Sequence, residues 1–322
     1  MNYHTYAVVG TGAVGGLYGA RLQRAGAEVH FLLRSDVDYV RQHGLRIESV
    51  DGDFDLPHVR AYSRVEDMPA CEVVLVALKT TQNHLLPKLL LPLVKKDTLV
   101  VMLQNGLGIE EAAAAIVGPE RIFGGLCFVC SNKRGPGHIC HLDYGHITLA
   151  QYTADQSPAG LTDDLRRLAA DFEQSGTTVL LADDLLTARW KKLVWNVPFS
   201  GLSVALDALT DALVNNEHTY ALARALMVEV VAAAQAVHQR HIPGIFIEEM
   251  LTATFKMTPY QPSLKLDHDT GRPMEVEAIF GEPLRLAQQA GLAVPFMEML
   301  YRQLKFLDEQ HRHGEQRNFR SP

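Results

Sequence analysis

A lysine and an asparagine in the second half of the chain have the types and spacing that reduction of a carbonyl group needs. Lys192 and Asn196 are four residues apart in a helical pattern, so both side chains lie on one helix face. Such a lysine can protonate a ketone oxygen while hydride reaches the carbon, provided that burial or a nearby charge adjusts its pKa. The alternative is an ordinary surface lysine, which is how we interpret the adjacent Lys191.

Two further polar residues follow predicted strands. Lys79 comes directly after the apolar run Val73–Leu78, and Asn105 follows Thr98–Leu103. Open α/β sheets bind ligands beyond the carboxyl ends of their strands, so both side chains are placed to contact a ligand. The simpler interpretation of Lys79 is a solvated lysine at a strand end. Asn105 and Gly106 fit a turn, and a turn at this edge is compatible with a ligand contact.

A glycine-rich segment near the N-terminus has the spacing of a dinucleotide-binding turn, Gly10-x-Gly12-x-x-Gly15. It follows the β-prone run Tyr6–Val9 and precedes the helical pattern Leu17–Ala25, which is the context that supports the motif. The glycines would permit a tight turn, close approach of the backbone to a pyrophosphate, and close packing of helix on strand. The expected cofactor-binding residues of this turn are Gly10, Thr11, Gly12, Ala13, Val14 and Gly15.

The end of the second predicted strand indicates which dinucleotide binds. An NAD enzyme usually has an acidic residue there for the ribose, whereas this chain has Arg34 and Ser35. A guanidinium can hold a 2′-phosphate through paired hydrogen bonds, and a hydroxyl can add another donor. NADP is therefore the expected cofactor. Asp36 follows and could instead pair with Arg34 or bind a ribose, which keeps NAD as the alternative.

The elements that must position these residues are an α/β half and a helical half. Apolar runs followed by helical patterns predict a sheet that fits parallel βαβ order. Strands are expected at Tyr6–Val9, Glu28–Leu33, Val73–Leu78, Thr98–Leu103, Arg121–Ser131, His146–Ala150 and Thr177–Leu181. Helical spacing dominates later, most clearly at Leu206–Val214 and Tyr220–His238. We predict a Rossmann-type dinucleotide-binding domain over residues 1–182, an all-α-helical domain over 183–312 and a disordered tail over 313–322.

Composition excludes several classes of protein. The net charge of −7, with dispersed lysines and arginines, offers no basic surface to nucleic acid. The start lacks a signal-peptide pattern, and apolar stretches such as Leu85–Val94 are broken well short of the roughly 18 residues that a membrane span needs. Four cysteines without secretory context favour a reducing compartment. The expectation is a cytoplasmic protein that binds neither nucleic acid nor membrane.

A third polar cluster lies near residue 270. Ser263 and Asp267 are four residues apart, and Glu275 comes just after Pro273, which suits the first turn of a helix. An acidic side chain at this point favours the positive end of the helix dipole. Capping is therefore the alternative interpretation of Glu275.

Taken together and in order, these motifs resemble the ketopantoate reductase family over nearly the whole chain. The resemblance implies an NADPH-dependent reduction of 2-dehydropantoate to pantoate, as in pantothenate biosynthesis. The motifs that carry it are Gly10-x-Gly12-x-x-Gly15, Lys79, Gln104-Asn105-Gly106, Trp190-Lys191-Lys192-x-x-x-Asn196, Ser263-x-x-x-Asp267, Glu275, Gly281 and Val294-Pro295.

The resemblance also implies roles for individual residues. Lys192 resembles the general acid of the family, and Lys79 and Asn105 look like its polar groups near the nicotinamide and the substrate. The residues that look like its substrate-binding set are Asn196, Ser263 and Glu275, of which Glu275 would also hold the lysine or the substrate hydroxyl. Asp267 matches a supporting position. Ser200 is a departure, because the family commonly has a second asparagine four residues after the first. A substrate other than ketopantoate is therefore an alternative, with the difference at the end that Ser200 would contact.

Three alternatives remain open on the sequence. The same scaffold could reduce a different 2-oxo acid or an imine, with hydride passing in a cleft between the domains. A non-catalytic protein that senses NADP is a second option, against which Lys192 and Glu275 argue. A zinc site is a third, suggested by Cys127, Cys130, His138, Cys140 and His141. Cys127 and Cys130 are three residues apart on a predicted strand, so their side chains point to opposite faces and cannot converge on one ion. We therefore expect no metal. A homodimer through the helical half is compatible with the sequence.

Overall fold

The computed structural model describes residues 1–318, with side chains through residue 310. The chain forms two compact units. The first contains residues 1–104 and 109–188, and the second contains residues 105–108 and the chain from Arg189 onward. The division therefore falls within a helix, and a short segment after the seventh strand belongs to the second unit.

The first unit is built on one sheet of ten strands, and the predicted α/β class is confirmed. The strands are β1 (Thr5–Val9), β2 (Glu28–Leu32), β3 (Leu45–Ser49), β4 (Phe54–Leu56), β5 (Arg60–Tyr62), β6 (Cys71–Val76), β7 (Val94–Met102), β8 (Ile122–Gly135), β9 (His138–Gln151) and β10 (Val179–Leu181). Their order is β4-β3-β9-β8-β7-β6-β1-β2-β5, with β10 paired to β9. The pairs from β8 to β5 along this order are parallel, so the carboxyl ends of β1, β2, β6 and β7 share one edge.

The expectation of parallel order fails at one long hairpin. Strands β8 and β9 pair antiparallel over 14 residues each, although the sequence indicated only Arg121–Ser131 and His146–Ala150. Polar side chains obscured the continuation of both strands, and the turn between them is Pro136-Gly137. A second antiparallel pair, β3 with β4, was also missed, because these strands are short.

Five helices complete the first unit and cover its sheet. They are α1 (Ala13–Arg24), α2 (Val37–His43), α3 (Leu86–Leu90), α4 (Ile109–Val117) and α5 (Asp163–Gln174). Helix α1 lies close on the sheet because it presents glycines there. A Cβ on Gly19 would come within 2.8 Å of Val8, and one on Gly16 would meet Ile139.

A buried carboxylate ties helix α5 to the N-terminal strand. The Asp171 side chain is fully buried and accepts hydrogen bonds from the Tyr6 hydroxyl (2.7 Å) and the Tyr3 amide (2.8 Å). Burial, followed by the charge of Asp171, raises the pKa of Tyr6 well above its ordinary value. The tyrosine therefore remains a neutral donor to this carboxylate.

We expect Asp171→Ala to lower the free energy of unfolding by about 2–5 kcal/mol, since it leaves two buried donors without their acceptor. Urea unfolding at pH 7 measures this change. Asp163→Ala, at an exposed position of the same helix, is the matched control and should cost less than about 1 kcal/mol. Equal losses for the two variants would show that the Asp171 contacts are not stabilising.

The second unit is helical, as predicted. Its helices are α6 (Leu185–Ala205), α7 (Thr210–Asn215), α8 (Glu217–His238), α9 (Ile245–Lys256), α10 (Ser263–Asp269), α11 (Glu282–Gln289) and α12 (Pro295–Asn318), and a π-helical turn spans Glu277–Gly281. The predicted helix Leu206–Val214 is wrong in its first residues, because Asp207 has a positive φ and separates α6 from α7. The predicted disordered tail overlaps the end of α12, and residues 319–322 lie outside the described residues.

Helix α8 is long and apolar enough to cross a membrane by length and composition alone. Within its own unit it packs against α7, α9, α11 and α12. The Glu229 carboxylate accepts hydrogen bonds from the amides of Phe296 (3.0 Å) and Met297 (2.8 Å), which caps the start of α12. Arg224 forms an ion pair with Glu248 of α9. These contacts are those of a central packing helix.

Candidate active site

The glycine-rich turn has the geometry that a bound pyrophosphate requires. A Cβ on Gly10 would lie 2.8 Å from the backbone of Ala77 and Leu78, and one on Gly15 would lie 2.8 Å from the Ala77 side chain. A Cβ on Gly12, by contrast, would meet nothing within 4 Å. Gly12 is also the N-cap of α1 and supplies no side-chain cap, so the first amides of the helix remain available to an anion. This turn fits a dinucleotide.

The other predicted residues of the turn lie where the motif requires. Thr11 anchors the turn to the second strand, because its hydroxyl donates to the Leu32 carbonyl at 2.9 Å. Ala13 and Val14 form the first turn of α1. The Ser131 hydroxyl donates to the Ala13 carbonyl at 3.3 Å, which connects the turn to β8.

The residues after β2 distinguish between the two possible cofactors. Arg34 is exposed and makes no hydrogen bond or ion pair with any described residue. Asp36 is buried and is held by Lys133, whose Nζ lies 2.6 Å from its Oδ2, and by the Gly137 amide at 2.9 Å. Asp36 therefore does not pair with Arg34, and its carboxylate is already held by partners within the protein. A free guanidinium at this position suits a 2′-phosphate.

Lys79 lies at the carboxyl edge of the sheet, as expected. It follows β6 and is the N-cap of a short 3₁₀ helix, Thr80–Leu85, with a half-buried side chain. The next strand along the sheet ends near Gln104, whose Nε2 donates to the Leu78 carbonyl (2.9 Å) and to Asn83 Oδ1 (2.7 Å). The first bond holds the backbone directly before Lys79, and the second holds the side chain of Asn83 in the 3₁₀ helix that follows it.

In the second unit, α6 carries a buried polar face. Lys192, Asn196 and Ser200 are spaced four residues apart, and each exposes 8% or less of its surface. The adjacent Lys191 is exposed and lies over the Phe246 ring at 5.6 Å, so it is the solvated lysine of the pair. Burying a lysine costs free energy unless partners stabilise it, and a buried lysine on the same helix face as a carboxamide is suited to donate a proton.

A second buried lysine of this unit, Lys265, is held by carboxylates. Lys265 on α10 forms ion pairs with Asp207 (2.6 Å) and Asp269. Burial favours the neutral form, but hydrogen bonds to the two carboxylates outweigh burial and raise the pKa of Lys265 above its ordinary value. Lys265 therefore holds α10 to the segment after α6 as a permanent cation and is unsuited to proton transfer.

The predicted residues near position 270 separate into buried and exposed groups. Glu275 is buried, and the preceding residue is fixed by α12, because Asp308 Oδ1 accepts the Met274 amide at 2.8 Å. Asp267 is buried and forms an ion pair with Arg272 at 3.0 Å, which fits the supporting role expected of it. Ser263 is the first residue of α10, and its side chain is exposed.

Asn105 lies in the short segment that belongs to the second unit. The segment 105–108 is bonded to the π-helical turn, where the Leu107 amide donates to the Ala278 carbonyl at 2.9 Å. Asn105 itself is half-buried. Its place is set by the same stretch of chain that carries Glu275.

The cysteines and histidines that suggested a zinc site lie on the β8–β9 hairpin. All four cysteines are free thiols and buried, and the described residues contain no group of three or more potential ligands. Cys127 packs in the hydrophobic core of the first unit. The cysteine and histidine spacing in this region is that of the β8–β9 hairpin.

Three residues with a part in this geometry were missed by the sequence reasoning. Lys133 bonds to both Asp36 and the Thr11 carbonyl (3.2 Å), and it comes from β8, far away in sequence. Asp308 fixes the backbone next to Glu275, and Ala278 receives the Leu107 amide. No local motif indicates any of these contacts, because each depends on pairing between distant segments.

Known families and structures resemble both units. The chain matches the family described as ketopantoate reductase PanE/ApbA over residues 6–154, and that family's C-terminal part over residues 184–308. A 2-dehydropantoate 2-reductase from Nostoc sp. is 55% identical over 315 residues, 98% of each chain.

Two solved 2-dehydropantoate 2-reductases have the same fold as this chain. The one from Geobacter metallireducens is 42% identical with a TM-score of 0.90, over 94% of this chain and 99% of its own. The one from Methylococcus capsulatus is 32% identical with a TM-score of 0.85, over 95% and 97%.

Proposed function

Because the chain belongs to the ketopantoate reductase PanE/ApbA family, we propose that it reduces 2-dehydropantoate (ketopantoate) to pantoate with NADPH, as a step of pantothenate biosynthesis. The reaction adds a hydride to the 2-oxo carbon and a proton to its oxygen. NADPH supplies the hydride when it is bound. The protein must then hold the keto acid, orient its carbonyl group and deliver the proton.

Different residues of the chain donate the proton, bind the substrate and contact the cofactor. Lys192 Nζ donates the proton to the ketone oxygen, and Asn196 and Ser200, on the same buried helix face, orient the acid. Glu275 binds the substrate hydroxyl or the lysine. Asn105 and Lys79 contact the substrate and the nicotinamide end of the cofactor, and Ser263 completes the substrate-binding set.

The buried polar face of α6 is the observation that carries this proposal. Lys192, Asn196 and Ser200 follow one another at intervals of four residues and are withheld from water, whereas the neighbouring Lys191 is exposed. The test is to follow absorbance of reduced nicotinamide while purified protein receives ketopantoate and NADPH. Steady oxidation of NADPH with formation of pantoate supports the proposal, and cofactor binding without turnover of any 2-oxo acid contradicts it.

The preference for NADPH should depend on Arg34. We expect Arg34→Ala to raise the KM for NADPH at least about tenfold, since a hydrogen bond to a charged group contributes roughly 1.5 kcal/mol or more. The KM for NADH should hardly change. Steady-state kinetics with both cofactors measure the split, and Arg64→Ala, at another exposed arginine of the first unit, is the control. An equal rise in both KM values would remove Arg34 from 2′-phosphate binding.

A different 2-oxo acid is the second candidate substrate, and Ser200 is the observation that favours it. A serine hydroxyl reaches less far than a carboxamide, so the end of the acid held by this residue can be bulkier than in ketopantoate. A panel of 2-oxo acids compared by kcat/KM decides between the two. A higher value for a bulkier acid than for ketopantoate would replace the proposed substrate.

The proposal extends to location and assembly. Four free, buried thiols suit a reducing compartment, so we place the protein in the cytoplasm. A homodimer through the helical unit is the assembly we propose; a structure of a ketopantoate reductase from Staphylococcus aureus is described as dimeric. Light scattering of the purified protein would decide between one and two copies.

A further inference from the structure

The π-helical turn Glu277–Gly281 leaves one main-chain carbonyl without a partner inside its helix. The Glu282 amide bonds to the Glu277 carbonyl, five residues back, instead of the Ala278 carbonyl four residues back. In the same wider pattern the Ala278 carbonyl would receive the amide of residue 283. That residue is Pro283, which has no amide hydrogen. The π turn and the proline together leave the Ala278 carbonyl without a partner inside the helix.

This carbonyl is used by the segment that contains Asn105. The Leu107 amide donates to it at 2.9 Å, and Leu107 is buried. Gly106 lies against the same turn, and a Cβ there would lie 2.6 Å from both the carbonyl carbon and the side chain of Ala278. Gly106 also has a φ of +103°, a backbone angle that residues with a side chain rarely adopt. Only glycine permits this close approach.

We propose that the π turn is the positioning element for Asn105. The Ala278 carbonyl and Gly106 hold the 105–108 segment on the stretch of chain that carries Glu275, since the Ile279 amide bonds to the Glu275 carbonyl at 3.2 Å. Asn105 therefore keeps a fixed position relative to Glu275, although it follows a strand of the first unit. This inference rests on the proposed function, in which both residues contact the substrate. Gly106, Ala278 and Pro283 are positioning residues and touch no reactant.

Two glycine variants separate docking from backbone strain. In Gly106→Ala, the new methyl group would clash with the backbone of Ala278. Gly108 also has a positive φ (+76°), but in Gly108→Ala the methyl group would lie 3.5 Å from Glu282, which is an ordinary contact. We expect Gly106→Ala to lower kcat/KM for ketopantoate roughly tenfold to a hundredfold, because small misplacements of a binding group have effects of that size. Gly108→Ala should lose much less. Equal losses would overturn the proposal.

A double-mutant cycle shows whether Gly106 acts through Asn105. Asn105→Ala should lower kcat/KM strongly in the wild-type background and only slightly in the Gly106→Ala background. Additive effects would mean that Gly106 supports the fold and does not position Asn105, and the proposal would fail.

Pro283→Ala provides a second variant should Gly106→Ala fold poorly. It restores an amide hydrogen that competes with Leu107 for the Ala278 carbonyl, so hydrogen exchange of the Leu107 amide should become at least tenfold faster while α8 amides keep their protection. Unchanged exchange of the Leu107 amide would contradict the proposal that the missing amide hydrogen of Pro283 leaves the Ala278 carbonyl available to Leu107. The hydrogen-exchange measurement does not depend on turnover. If the wild-type protein does not reduce ketopantoate, the proposed function fails, and hydrogen exchange still tests the docking of the 105–108 segment.

Discussion

Replacing Lys192 with alanine is expected to lower kcat for ketopantoate by roughly a hundredfold to ten-thousandfold, the usual contribution of a positioned proton donor. The variant removes the only group that we assign to deliver a proton to the ketone oxygen. The KM for NADPH should change little, because the glycine-rich turn and Arg34 lie in the other unit. Steady-state kinetics over both substrates measure the two parameters.

The matched control is Lys191→Ala. The two lysines are neighbours on the same helix, but Lys191 is exposed and its ammonium group lies over the Phe246 ring. Its loss should leave kcat within about twofold of wild type, since substitutions at exposed positions rarely change the energy by more than about 0.5 kcal/mol. Equal losses in the two variants, or full turnover by Lys192→Ala, would exclude Lys192 as the proton donor.

Gly12→Val is expected to weaken NADPH binding by about a hundredfold with little effect on folding. The space in front of Gly12 is open, so a side chain there meets no protein atom but occupies the position of the pyrophosphate. Forcing extra methyl groups into a fitted contact costs about 1–3 kcal/mol, which corresponds to roughly a fivefold to 150-fold change in Kd. Titration calorimetry with NADPH and a thermal melt measure binding and stability.

Gly15→Ala provides the contrast, because its effect should fall on folding first. Its methyl group would meet the Gly10 carbonyl and the Ala77 side chain within the protein itself. We expect a lower Tm for Gly15→Ala and a near wild-type Tm for Gly12→Val. A Tm lowered equally by both substitutions would mean that the space at Gly12 is not reserved for a ligand.

The sequence predicted the fold class and the family, and both are confirmed. These predictions succeeded because each strand and helix near the glycine turn carries its own local signal, such as the apolar run before Gly10. The long β8–β9 hairpin was missed because its outer residues are polar and its pairing is antiparallel. Alternation of apolar residues cannot indicate how far a strand extends once it leaves the core.

The candidate site could be predicted only as separate residues. Spacing placed Lys192 and Asn196 on one helix face, and the structure adds that this face is buried. Periodicity alone could not decide which of Lys191 and Lys192 is the buried lysine. Only the family resemblance indicated Lys192. Ser263, expected to bind substrate, is exposed on α10, so its role stays a prediction. The contacts of Lys133 with Asp36 and of Leu107 with Ala278 join segments that are far apart in the sequence, so no local sequence pattern indicates them.

Transfer of deuterium from NADPH labelled at the reactive C4 position tests the central claim most directly. Mass spectrometry and NMR of the product should show pantoate that carries deuterium on C2, and Lys192→Ala should form it at least about a hundredfold more slowly than the wild-type protein. Unlabelled pantoate would contradict hydride transfer to the 2-oxo carbon. Oxidation of NADPH without pantoate would contradict the proposed substrate.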